Sequence, residues 1–234
     1  MLGIHKLLVA LLLAASLVAQ PAGTTPLSGG QSASVSAGAT TAETQINNMP
    51  DGPMKDLCSA GIANFKKMQG AGRVINANGR AGTTGTSAHA EPEGRNAAGQ
   101  ATSTSGVGVG GEYICLGDKV PTLSPHEMGA MLVHEGIRTK QTGDRTPPPA
   151  GGGGGGGGGG WQPPLPERMR EWHNDWQVYA AQSAYYSAMA ALAQATPGVN
   201  PKFIEWCHKR AQARRTTAAE NARNIGQGLQ GKIK

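Results

Sequence analysis

The chain has 234 residues, of which 36 are glycine and only four are Trp, four Tyr and two Phe; its net charge is +6. Too few bulky side chains are present to fill two cores, which excludes a large two-domain enzyme. The glycines keep no three-residue period, which excludes collagen, and the charge is too low for a strongly charged disordered chain.

Met1–Lys6 precedes an apolar run, Leu7–Ala19, that is too short to span a bilayer but suits the core of a signal peptide over residues 1–22. The expectation is export, to the periplasm or the medium, with an uncleaved anchor as the alternative. No later stretch reaches the length of a membrane span, so no membrane association is expected after cleavage. Loss of residues 1–19 removes Lys6 alone among the charged residues, taking the net charge from +6 to +5. Export implies an oxidising compartment. Of Cys58, Cys115 and Cys207, two are then expected to pair and one to stay free, with all three pairings open.

Residues 23–53, rich in Ser, Thr, Ala and Gly, read as a disordered linker. Residues 54–111 read as a low-complexity Gly/Ala/Ser region holding one short helix, Met54–Gln69, with Leu57, Ile62, Phe65 and Met68 as its apolar side. Val74–Ile75 and Val107–Val109 are candidate strand pieces. Glu112–Leu116 predicts a strand. Ser124, Pro125 and Glu127 supply an N-cap, a first-turn proline and a capping box; this accounts for the His126-Glu127 dipeptide without any site. The helix they open runs to a stop at Gly143. A Pro/Gly loop follows over 144–166, including the unbroken run Gly151–Gly160. A second helix is expected from Glu167 to about Gln194, and a third from Pro201 carrying Phe203, Trp206 and Cys207. Residues 207–234 read as a fraying basic tail. Glu205 and Glu220 interrupt its charge and no aromatic lies beyond Trp206 for base stacking, so a solvated face is expected and no nucleic-acid partner. The fold class expected is α+β, mainly helical, with its core over 112–206.

Two constellations carry chemistry. His134-Glu135 sits inside an apolar helix pattern, Met131 to Gln141. On the later helix, Asp175, Tyr179, Gln182 and Tyr186 are spaced by four, three and four and share one face. The order strand, His-Glu helix, loop, acidic-aromatic helix resembles the zincin metallopeptidases, in the subgroup whose third zinc ligand is a carboxylate. In that family HExxH places two His on one helix face as zinc ligands, and the Glu activates the metal-bound water. The resemblance covers about residues 112–194. It implies zinc as cofactor, a peptide or protein substrate, an edge strand at Glu112–Leu116 beside that substrate, and His134 and Asp175 as ligands. It further implies Glu135 as the base and Tyr179 or His173 as aid to the oxyanion. His173 is a single ligand in reserve, because it lies about 200° around the helix from Asp175.

The departure is Arg138, in the position of the second His. Arginine stays protonated and offers no lone pair. A catalytically inactive relative, a ligand supplied from elsewhere and a sequence variant are the three explanations open. An exported non-catalytic protein that keeps the fold is the alternative function. The plainer readings are a surface His-Glu dipeptide and a core stripe of Met169, Trp172, Trp176, Tyr179 and Tyr186.

Overall fold

The computed structural model describes residues 25–76, 88–92, 112–116, 123–142 and 165–231. The expected signal peptide, the Val107–Val109 strand piece and the 144–166 loop as far as residue 164 lie outside the described residues. In chain order the elements are β1 (Thr25–Pro26), α1 (Gly29–Asn47), α2 (Pro53–Gly70), β2 (Val74–Asn76), β3 (Ala88–Pro92), β4 (Glu112–Leu116), α3 (Pro125–Thr142), α4 (Leu165–Ala195) and α5 (Pro201–Leu229). The protein is mainly helical with a small sheet, as composition and patterning indicate.

The stretch 23–53 is not a linker. It contains the 19-residue helix α1, opened by a complete capping box between Ser28 and Gln31. Its buried side is Val35, Gly38, Ala39, Ala42, Gln45 and Ile46, a helical stripe of which half is Gly or Ala. The hydroxyls that made the segment look like linker are satisfied within the helix: Thr41 donates to the Ala37 carbonyl at 2.9 Å and Thr44 to that of Thr40 at 3.0 Å. The expected helix over 54–69 is present as α2, with Pro53 in its first turn and Cys58, Gly61, Ile62 and Phe65 buried.

The strands form one sheet in the order β1-β2-β4-β3. β4 is parallel to β2, with Ile75 opposite Cys115, and antiparallel to β3, with Ala90 opposite Ile114. The expectation of an edge strand at Glu112–Leu116 is therefore corrected: β4 is paired on both sides, and Tyr113, Ile114 and Leu116 are buried. Edges are held by β1 and β3, which local patterning gave no means to rank.

α3 is the centre of the helical layer. At its start the Glu127 amide donates to Ser124 Oγ (3.3 Å), and the Ser124 amide donates back to Glu127 Oε2 (3.1 Å), the reciprocal cap expected from the sequence. Two glycines seven residues apart let neighbouring helices approach closely. A Cβ on Gly136 would lie 2.0 Å from the Gly61 carbonyl oxygen of α2; one on Gly129 would lie 2.9 Å from the Gly38 carbonyl oxygen of α1. Met128, Leu132, Val133 and Ile137 of α3 fill the core around these crossings.

α4 and α5 form a long antiparallel hairpin turned at Gly198, whose φ of 80° suits glycine, and restarted by Asn200, which caps the Lys202 amide at 2.9 Å. Ser183 Oγ donates to the Ala211 carbonyl across the hairpin at 2.9 Å. The expectation of a fraying tail over 207–234 is corrected, because α5 continues unbroken to Leu229. Its buried side beyond Cys207 is Ala211, Ala218, Asn221 and Gly228, again small residues at helical spacing. Cys58 and Cys207 are both buried free thiols, so the disulfide expected from export does not join them. Burial alone pushes the Cys58 thiol up to about 12, leaving it inert; Cys115's side chain is outside the described residues.

Candidate functional site

α3 and α4 run antiparallel, and their facing side chains form a ladder. Gln182 Nε2 donates to the Ala130 carbonyl at 3.1 Å. One rung on, the His134 and Tyr179 rings meet edge to face with centroids 5.5 Å apart. Next, Arg138 Nη1 and Asp175 Oδ1 form an ion pair at 2.5 Å, both side chains less than a third exposed. At the far end, Gln141 Nε2 donates to Gln177 Oε1 at 3.0 Å and to the Asn174 carbonyl at 3.3 Å. The expected face of α4 is thus the face turned to α3. Asp175 and Tyr179 both reach the His-Glu helix, and the i, i+4 spacing on each partner sets which residues meet.

A cleft of about 300 Å³ opens at the His134 end of this ladder. His134, Glu135, Tyr179 and Gln182 line it from α3 and α4, and Tyr186, Arg210 and Arg214 line it beside them. His134 keeps some accessible area in the cleft, yet protein surrounds the ring closely. Burial, followed by the Arg138 guanidinium, pushes its pKa down to about 3; Arg214 adds to the effect and the Gln182 carboxamide opposes it. The ring is therefore neutral at ordinary pH, and at least one of its nitrogens carries a lone pair. Glu135 is buried, at 7% exposure, and lies in the same cleft.

The structure brings together His134, Glu135 and Tyr179, and binds Asp175 to Arg138. It does not bring in His173. That ring is exposed, stacks obliquely on Trp176 at 5.7 Å, and is not among the cleft residues. The expectation of His173 as a reserve ligand or an aid to the oxyanion is therefore corrected: its angular offset from Asp175 turns the ring away from the face that meets α3. The donor set does not suit zinc. His134 offers one nitrogen, Arg138 offers none, and the Asp175 carboxylate is engaged by a guanidinium that would repel a dication. No cluster of three metal-ligating side chains occurs among the described residues.

Sequence reasoning passed over four cleft residues. The sequence puts Gln182 on the right face without a role; Tyr186 is in the core, as its stripe indicates, and lines the cleft as well. Arg210 and Arg214 fall in the stretch expected to be a solvated basic face, and line the cleft instead. Their signal was present: Trp206, Arg210 and Arg214 recur at intervals of four, so one side of α5 carries an aromatic and two cations together. Arg210 lies over the Trp206 ring at 5.6 Å and Arg214 over the Tyr179 ring at 5.4 Å.

Fold and site together define a mainly helical α+β protein with a polar cleft lined by α3, α4 and α5, and an Arg–Asp pair one rung along the α3–α4 ladder from it. No protein-family model, curated protein or solved structure matches this chain.

Proposed function

We propose that the protein is an exported, metal-independent binding protein built on a zincin-like pair of helices, in which Arg138 has replaced the second zinc ligand. The observation that supports this is the Arg138–Asp175 ion pair. A covalently attached cation takes the second ligand's helical position and engages the carboxylate that would have been the third. What remains is a cleft with a neutral imidazole, a buried carboxyl and an aromatic wall, suited to holding a polar ligand such as part of a peptide or protein. The competing reading, a zinc peptidase with Glu135 as base, His134 and Asp175 as ligands and Tyr179 assisting the oxyanion, draws on the presence of His134, Glu135 and Tyr179 in one cleft.

Metal analysis separates the two. After dialysis the parent chain is expected to hold no stoichiometric zinc, whereas Arg138→His, which frees Asp175 and adds an imidazole, is expected to hold about one ion per chain. About one zinc in the parent would overturn the metal-independent reading in favour of the peptidase. No zinc in either would remove the zincin-like relationship.

A further inference from the structure

Arg210 and Arg214 are separated by one helical turn on α5, and both line the cleft. Neither guanidinium is fully committed. Arg214 is half-buried against the Tyr179 ring and makes no hydrogen bond or ion pair among the described residues. Arg210 approaches Glu127 Oε1 only to 3.7 Å, outside hydrogen-bonding distance, while the other Glu127 oxygen accepts from Ser124 Oγ at 2.9 Å. Tyr186 lines the cleft with them, and its side chain makes no hydrogen bond among the described residues. Burial raises its phenol above the usual range; Arg210 and Arg214 act against that rise, and Glu127 adds to it.

We propose that this end of the cleft binds an oxyanion, the carboxylate or phosphate group of a ligand, held by Arg214, Arg210 and the Tyr186 hydroxyl. This rests on the binding-protein reading above and names the chemistry of the ligand. Guanidinium groups present paired N–H donors that match the oxygens of both anions, and charge-assisted bonds of this kind are the strong ones. The carboxyls in the cleft only partly fill the role: Glu127 approaches Arg210 to 3.7 Å while its other oxygen serves the α3 cap, and neither Glu127 nor Glu135 forms an ion pair with Arg214 among the described residues. His134 adds no competing positive charge, since its ring stays neutral. A cleft of about 300 Å³ is large enough for the anionic group and a small part of the molecule bearing it.

The test is calorimetric titration of the full chain with two probes, inorganic phosphate and N-acetylglycine, with and without added zinc. Saturable binding of at least one probe is expected; which binds more tightly identifies phosphate or carboxylate as the natural group. Arg214→Gln is expected to weaken binding about tenfold or more, and Arg210→Gln and Tyr186→Phe by smaller factors. Arg214→Lys, which keeps the charge but not the fork, should fall between. Arg223→Gln, an exposed position on the same helix outside the cleft, should leave affinity unchanged. Circular dichroism confirms that each variant is folded. No saturable binding by the parent under either condition would overturn the oxyanion site, as would equal losses in Arg214→Gln and Arg223→Gln. Binding that appears only with zinc would leave the oxyanion site standing and overturn the metal-independent reading.

Discussion

On one side of α3, Gly129 and Gly136 admit the backbones of α1 and α2 so closely that no side chain fits between. On the other, Ala130, His134, Arg138 and Gln141 meet α4 through hydrogen bonds, a ring contact and an ion pair. The first side has one geometric solution, because packed backbones cannot yield without separating the helices. The second is a set of exchangeable polar pairs. The contrast teaches that α3 is fixed by what it lacks on one face, which leaves the opposite face free to carry chemistry.

The largest expected effect comes from breaking the tight side. Gly136→Ala places a methyl 2.0 Å from the Gly61 carbonyl oxygen. A loss of about 3 kcal/mol in urea unfolding is expected, well outside the range of a helix-propensity gain. A neutral or stabilising result would show that the α2–α3 crossing is looser than its geometry.

The next effect sharpens the polar side through pH. The folded His134 ring binds a proton only near pH 3, whereas the unfolded ring binds one near its ordinary value of about 6.5. Between those values the unfolded chain holds the extra proton. Stability therefore falls as pH drops from about 6.5 toward 3, by up to about 1.4 kcal/mol per pH unit from this group. His134→Gln should flatten that slope by the same amount; an unchanged slope would assign the acid sensitivity to other groups.

A smaller effect is expected at the ion pair. Arg138→Met leaves Asp175 without its cation at a half-buried site, costing about 1–2 kcal/mol. Asp175→Asn in the same background should cost little more, because the pair acts as a unit. The Arg138→Met change also removes the second cause of the depressed His134 pKa, so its titration by NMR should move upward. Additive losses in the double variant would mean that the two residues do not act together.

What could be read in the sequence depended on whether a signal was local. The cap at Ser124, the apolar side of α2 and the shared face of Asp175, Tyr179 and Gln182 all follow from spacing within one helix. α1 and the second half of α5 escape such a reading because Ala and Gly make up half or more of their buried stripes and carry little hydrophobic contrast against a Ser/Thr or basic background. The internal place of β4 depends on pairing with strands distant in sequence, which its own residues do not specify. The site was half legible for the same reason. His134 and Glu135 stand out as neighbours, but the Arg138–Asp175 pair needs the α3–α4 register, and Arg214 needs the fold of the α4–α5 hairpin.

The cation that faces Asp175 is part of the polypeptide. A chelator cannot extract it, a competing metal cannot exchange it, and scarcity of zinc cannot leave it vacant. Its stoichiometry is one per chain from the moment the helices close, and the carboxylate opposite meets the same charge in every molecule. A bound metal divides a protein into loaded and empty populations whose ratio follows its surroundings; a guanidinium carried on the chain makes no such division at Asp175.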